Sequence, residues 1–156
     1  MTIKLRDVVD SDLPIFFSHQ QDEEALHMAA FTSKDPSDKE AFMAHWAKIR
    51  ANKDIINRTI LYEDSVVGHV ASFIMEGERE ITYWIGKDYW GKGIATKALS
   101  AYLDIVTVRP LFARVAKDNI GSKRVLEKCG FTVIGEDKGF ANARNAEIEE
   151  YILKLE

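Results

Sequence analysis

Cysteine occurs once in the 156 residues, at Cys129, so no internal disulfide can form. Histidine occurs four times, at His19, His27, His45 and His69, without the spacing of metal ligands, and no metal site is expected. Proline occurs three times, and no Pro/Gly/Ser linker, low-complexity tract or internal repeat is visible, so residues 1–156 read as one domain. Positive charge is not in excess: 21 Lys and Arg stand against 25 Asp and Glu, a net charge of −4. That balance argues against a general binder of nucleic acid or anionic membrane. The opening MTIKLRDVVDSDL has no unbroken apolar segment of the kind export signals need. No run approaches the roughly 18 apolar residues of a membrane span. The expectation is a soluble, cytoplasmic protein with no nucleic-acid or membrane partner.

What is present is an ordinary globular composition, 46% hydrophobic and 29% charged, long enough to bury a core. Alternation over Thr2 to Val9 predicts a first strand. Ser11 reads as the cap of a helix over Asp12 to Gln21. The acidic Asp22-Glu23-Glu24 sits near a break before Ala25 to Ala30. Asp35-Pro36-Ser37 opens a second helix, Asp38 to Asn52, with Phe42 and Trp46 on a stripe that reads as core. Strands are predicted at Arg58 to Tyr62, Val66 to Ile74 and Glu80 to Ile85. Helix Ile94 to Val108 follows and is stopped by Pro110. Leu111 to Ala116 is a strand and Gly121 to Lys128 a helix ended by Gly130. Strands Thr132 to Glu136 and Ile148 to Leu155 close the chain. The order β-α-α-β-β-β-α-β-α-β-β describes a mixed α/β sheet, not a doubly wound one.

The segment Asp88-Tyr89-Trp90-Gly91-Lys92-Gly93-Ile94-Ala95-Thr96-Lys97-Ala98-Leu99 joins a strand to a helix. Two glycines at alternate positions allow close approach of a ligand to the backbone, and the helix start offers unpaired N–H groups and a positive dipole end. Together they suit an anion such as a pyrophosphate. Thr96 stands where a dinucleotide fingerprint needs its third glycine, and the spacing of a Walker loop is missing. By itself the turn leaves a second reading, a helix start packed tightly on a strand. Further on, after the strand Leu111 to Ala116, comes Asn119-Ile120-Gly121-Ser122-Lys123-Arg124-Val125-Leu126-Glu127-Lys128-Cys129-Gly130-Phe131.

These two segments together resemble the GCN5-related N-acetyltransferase (GNAT) superfamily, in its ribosomal-protein N-terminal acetyltransferase-like branch. WGKGIATKAL looks like its pyrophosphate loop, and N-x-x-S-x-x-x-L-E-K-x-G-F like its second half. The strand order agrees from Ile3 to Leu155. Two positions depart from the pattern: Asp88 replaces the usual Arg or Gln of the loop, and Leu126 replaces the tyrosine that many members use as general acid.

The resemblance implies an acetyl-CoA-dependent N-acetyltransferase that moves an acetyl group directly to a primary amine, a protein N-terminus or a small molecule, as monomer or homodimer and without metal. It places the pyrophosphate on Trp90, Gly91, Lys92, Gly93, Ile94, Ala95 and Thr96. The pantetheine arm runs along backbone groups of Tyr83, Trp84 and Ile85, on a strand splayed from its neighbour, with Asn119 binding the arm or a water beside it. Ser122 becomes a candidate acid for the departing thiolate, or else a capping residue. Glu80 becomes a candidate base, or else a solvated strand-end carboxylate. Asp22-Glu23-Glu24 reads as a solvated helix end or as an attractor of a cationic acceptor. The missing tyrosine leaves a second reading, a non-catalytic acyl-CoA-binding or sensing domain on the same fold. Cys129 reads as a buried structural thiol.

Overall fold

A turn through Glu63 and Asp64, both in the left-handed region (φ 49° and 69°), joins β2 (Ile56–Tyr62) to β3 (Ser65–Met75). A second tight turn at Glu76 and Gly77 joins β3 to β4 (Glu78–Ile85). With β1 (Ile3–Arg6) pairing to β2, these strands form the antiparallel half of the sheet. The other half is β5 (Leu111–Ala116), β6 (Thr132–Ala141) and β7 (Ala146–Leu155). The computed structural model describes residues 2–156 and gives one seven-stranded sheet in the order β1-β2-β3-β4-β5-β7-β6. This is the mixed α/β architecture that the strand order predicts.

Three helices, not two, separate β1 from β2: α1 (Leu13–His19), α2 (Glu23–Ala29) and α3 (Lys39–Ala51). The extra helix is α2, started by Asp22, whose carboxylate accepts from the Ala25 N–H at 2.8 Å. Glu23 and Glu24 fall in its first turn, where they suit the helix dipole. The chain then has α4 (Ile94–Ile105) and α5 (Ile120–Lys128). Ser11 does not cap α1. It lies inside a 3-10 turn, Asp10–Asp12, and the buried carboxylate of Asp12 closes that turn by accepting from the Val9 N–H at 3.0 Å. α4 ends three residues before the predicted Val108, and β6 and β7 are each ten residues long.

The sheet separates two apolar layers. On one face α4 and α5 cover a core that takes Ile81 and Ile85 from β4, Leu111, Ala113 and Val115 from β5, and Leu153 from β7. On the other face Val8, Leu13, Phe16 and Trp46 form a smaller cluster under α1 and α3. Because side chains alternate along a strand, β4 sends Ile81, Tyr83 and Ile85 toward α4 and α5. It sends Glu80, Thr82 and Trp84 toward α1 and α3. The β4–β5 pairing is parallel and consists of Arg79↔Leu111 and Glu80↔Phe112. Beyond Glu80 the two strands separate. No described helix is long and apolar enough to cross a membrane.

Candidate active site

The gap between β4 and β5 opens into a cleft of about 1330 Å³ that reaches the α1–α3 side of the sheet. Its wall includes Trp46 and Phe42 from α3, Tyr83 and Trp84 from β4, and Ser122 from α5. Trp46 is also core, 4% exposed, so it serves both the small cluster and the cleft.

Below the gap sits the glycine turn. Gly91 and Gly93 both lie in the left-handed region, at φ 75° and 78°, and a Cβ at Gly91 would meet nothing within 4 Å. Gly93 is the N-cap of α4 and has no side chain to give. α2, α3 and α5 are capped by the side chains of Asp22, Asp38 and Asn119, whereas α1 and α4 have no side-chain cap and no acidic residue in the first turn. The first N–H groups of α4, beside the two glycines, thus have no side-chain acceptor from a cap. Trp90 folds its indole back to donate to the Ile85 carbonyl at 2.8 Å, which ties the turn to the end of β4. Ile94 and Ala95 turn their side chains into the core, Thr96 accepts from the Cys129 thiol through its carbonyl at 3.7 Å, and Lys92 is exposed. Burial pushes the Cys129 thiol pKa up, as suits a packing residue.

Across the gap, the Tyr83 hydroxyl lies 2.6 Å from Ser122 Oγ. Burial is the main influence on Tyr83, and its pKa is pushed up to about 12, so the phenol keeps its proton near neutral pH. Sequence reading placed only the backbone of Tyr83 at the site; the side-chain contact spans 39 residues and has no local signature. Asn119 spends both ends of its amide inside the protein. Oδ1 accepts from the Ser122 N–H at 3.2 Å, and Nδ2 donates to the Met28 carbonyl at 3.3 Å. Leu126 is 2% exposed in the core, one turn along α5 from Ser122.

On the opposite side, Glu80 is buried, 9% exposed, and stands beside Arg114 of β5, with Nε 3.6 Å from its carboxylate. Burial raises the Glu80 pKa, Arg114 pulls it back, and Glu150, Glu76 and Glu78 raise it again; the net shift is upward. Arg114 Nη1 donates to Glu150 of β7 at 2.8 Å. Neither Arg114 nor Glu150 was singled out from the sequence. The signal was there: Glu150 shares a strand face with Ile148 and Ile152, so the alternation carries it inward. Asp22 and Glu24 are not free for a ligand, because Lys87 pairs with Glu24 at 2.7 Å and with Asp22 at 3.9 Å. Three buried nitrogens in this region have no hydrogen-bond partner: His19 Nδ1, His69 Nδ1 and Trp84 Nε1. His69 pairs with Trp84 across β3 and β4 and packs on Phe16 and Trp46, with ring centroids 4.7 and 5.1 Å away. Burial, reinforced by His19, lowers the His69 pKa to about 4, so the ring is neutral at pH 7. Among the described residues no group of His, Cys, Asp and Glu is arranged to hold a metal ion.

A family model for the GNAT acetyltransferase domain matches residues 2–132. The chain belongs to the GNAT acetyltransferase family. Among curated relatives, YdaF of Bacillus subtilis, provisionally named a ribosomal N-acetyltransferase, is 27% identical over 146 residues, covering 85% of this chain and 80% of its own. The N-acetyltransferase p20 of Bacillus licheniformis is 21% identical over 163 residues, with 99% and 92% covered. Among solved structures, RimJ of Mycobacterium smegmatis bound to CoA-disulfide aligns over 98% of this chain and 81% of its own, with a TM-score of 0.84 and 21% identity. A phosphinothricin acetyltransferase of Sinorhizobium meliloti bound to acetyl-CoA aligns over 99% and 88%, with a TM-score of 0.82 and 20% identity. The fold of this GNAT chain is thus that of enzymes solved with the cofactor in place.

Proposed function

We propose that the protein transfers the acetyl group of acetyl-CoA to a primary amine by direct attack on the thioester. The observation that carries this reading is the end of β4–β5 pairing at Glu80 and Phe112, with the uncapped start of α4 below it. In parallel pairing the groups past that point would bond across the gap; here β4 offers them to an extended ligand along Tyr83, Trp84 and Ile85. The Trp90–Thr96 segment suits a pyrophosphate through Gly91, Gly93 and the first N–H groups of α4, with Lys92 adding charge. Asn119, which the resemblance places at the same arm, lines the cleft and caps α5. Two family relatives were solved with CoA-disulfide and acetyl-CoA, which supports the same co-substrate here.

The site's own residues then divide the proton work. Glu80 draws a proton from the acceptor ammonium through water, which frees the nitrogen lone pair for the carbonyl carbon. As the C–S bond breaks, Ser122 Oγ–H donates to the departing sulfur and takes in return the second proton that the attacking nitrogen must lose, so the products are the amide and the CoA thiol and the serine ends as it began. The Tyr83 and Ser122 hydroxyls lie 2.6 Å apart; with Tyr83 O–H as the donor in this reading, the serine hydrogen is left for that task. The acceptor is a protein N-terminus or a small-molecule amine; relatives carry names of both kinds, ribosomal for YdaF and phosphinothricin or spermidine for solved neighbours.

Thiol release from acetyl-CoA across an amine panel tests the proposal. Amine-dependent release is expected. Glu80→Gln should lower kcat by roughly 10²-fold with CoA affinity kept. Because its pKa is raised, the acid limb of the wild-type rate profile should lie above the ordinary carboxylate range, and the variant should lack that limb. CoA binding with no amine-dependent release would instead establish an acyl-CoA-binding domain.

A further inference from the structure

β6 is the edge of the sheet. It pairs with β7 on one side and, among the described residues, with no strand on the other. It is ten residues long, Thr-Val-Ile-Gly-Glu-Asp-Lys-Gly-Phe-Ala, and such an edge offers a row of N–H and C=O groups to another strand. Ile134 and Phe140 on it are 54% and 60% exposed. The register with β7 is unbroken from Gly135 to Ala141. Glu136, Lys138 and Phe140 therefore share the face of Tyr151, while Gly135, Asp137 and Gly139 share the face of Glu150.

Gly135 and Gly139 do not serve the backbone of the single chain, since neither has a positive φ. A Cβ at Gly135 would meet nothing within 4 Å, and one at Gly139 would meet only the Phe31 ring, at 3.7 Å. Phe31 thus lies over the bare backbone of Gly139 at the sheet edge, itself 40% exposed. It is also part of the cleft wall. Glu136 and Lys138 pair within the chain, with Lys117 at 2.9 Å and Glu147 at 3.5 Å. Pairs between exposed side chains of this kind are worth little, so they leave both charges available to a further partner.

We propose that β6 pairs antiparallel with β6 of a second copy of this chain, about a two-fold axis at Asp137, and so joins the two sheets into one. An axis perpendicular to the sheet carries hydrogen-bonded pairs onto hydrogen-bonded pairs, so one residue must face its own copy at the centre. With Asp137 there, Glu136 faces Lys138 of the second copy, and the same pair recurs across the axis. Gly135 then faces Gly139, and Ile134 faces Phe140. Opposite charges across a strand pair stabilise it and like charges destabilise it. A centre one residue away sets Glu136 on Glu136 or Lys138 on Lys138. A centre two residues away sets Glu136 opposite Ile134 or Lys138 opposite Phe140. The two Asp137 carboxylates that meet at the axis each bring a cation, because Arg114 Nη1 donates to Asp137 at 3.1 Å. Phe31, resting on Gly139, gains the open backbone of the facing Gly135 as a second surface, which carries the interface to the wall of the cleft. Charges that ordinarily blunt an edge strand here select one register and one partner.

Light scattering and sedimentation equilibrium on the whole chain test this, and a dimer is expected. Glu136→Lys and Lys138→Glu should each raise the dimer Kd about tenfold, because each sets two like-charge pairs across the axis. The double variant restores two opposite-charge pairs and should return Kd to within about threefold of the wild type. A monomer at every concentration overturns the proposal, and so does a dimer that both single variants leave unchanged. A double variant as weak as the singles overturns the register. A second measurement does not depend on the charge variants folding. In a Cys129→Ser background, Asp137→Cys should form a disulfide-linked dimer with oxidised glutathione, since facing Cα atoms lie about 4.5–5.5 Å apart, within disulfide reach. Glu136→Cys should not, since it lies about 7–8 Å from its own copy. Linkage at position 136 and none at 137 overturns the axis.

Discussion

Leu126 stands where the resemblance expects a tyrosine, and the hydroxyls close to it are those of Ser122 and Tyr83, 2.6 Å from each other. A buried leucine there cannot donate a proton, and the nearest hydroxyl on the same helix face is Ser122, at i−4. A serine hydroxyl is a weak acid, but the CoA thiol has an ordinary pKa near 8.5, so near neutral pH an acid is helpful rather than indispensable. Ser122→Ala is therefore expected to slow turnover about 10- to 100-fold with CoA affinity kept. Tyr83→Phe should slow it less, because the serine keeps its own hydrogen and loses only the partner at 2.6 Å that orients it. Single-turnover rates check both. A wild-type rate in Ser122→Ala, with chemistry rate-limiting, would mean that the thiolate leaves unaided.

At the level of elements, the start of α4 is the one the proposed function assigns to a ligand, and it has no side-chain cap. A serine or aspartate at position 93 would cap it, as Asp22 and Asp38 cap α2 and α3. Gly93 is there instead, at φ 78°, a conformation that is costly for a β-branched side chain. Gly93→Val should weaken acetyl-CoA binding at least tenfold, or about 1.4 kcal/mol, by calorimetry on variant that circular dichroism shows to be folded. Near-normal affinity would sink the assignment of the loop. The other helix starts do structural work. Asn119 caps α5 and also holds α2 through Met28, and Lys87 reaches α2 from the segment before the loop. The acidic run Asp22-Glu23-Glu24 is thereby built into the contact between α2 and that segment.

Over the molecule as a whole, Asp12 ties the N-terminal strand and turn to the sheet. It is 1% exposed, takes both guanidinium nitrogens of Arg6 at 2.7 and 2.9 Å, and accepts from the Val9 N–H at 3.0 Å and Thr59 Oγ at 2.7 Å. Burial pushes the Asp12 pKa up, but the hydrogen bonds from Arg6, Val9 and Thr59 and the Arg6 charge together hold it below the ordinary 3.8. A depressed folded value means stability present above the unfolded value and lost as the pH falls through the folded one. Asp12→Ala should cost about 3 kcal/mol at pH 7 and leave Thr59 and the Val9 N–H without their acceptor. The gap between wild type and variant should narrow as the pH drops below about 3.8. Urea melts at pH 7 and pH 3 check this; an equal gap at both would return the effect to packing alone.

Much of this protein is legible residue by residue. The glycine turn before α4, the helix-ending Gly130 and the alternation of the strands rest on short-range sterics and periodicity, which act within a few residues. The pattern Asn119–Ser122 is local too, but the resemblance reads Asn119 as a contact of the pantetheine arm, and its role as the cap of α5 comes from the structure. The helix α2 was missed because seven residues carry too short a period to stand out, and its stability comes from neighbours: Lys87, Asn119, and Arg144, whose Nε donates to the His27 carbonyl at 2.6 Å. The site's two long-range contacts were out of reach for the same reason. Tyr83 meets Ser122 across the opened strands, and Arg114 meets Glu80 and Glu150 from three strands in register. The sequence by itself determined the strands, the glycine turn and the longer helices, because those choices rest on short-range periodicity, whereas α2 did not follow from it. Only the tertiary structure decided which carboxylate keeps a guanidinium and which is left facing the cleft, because that depends on which strands lie side by side.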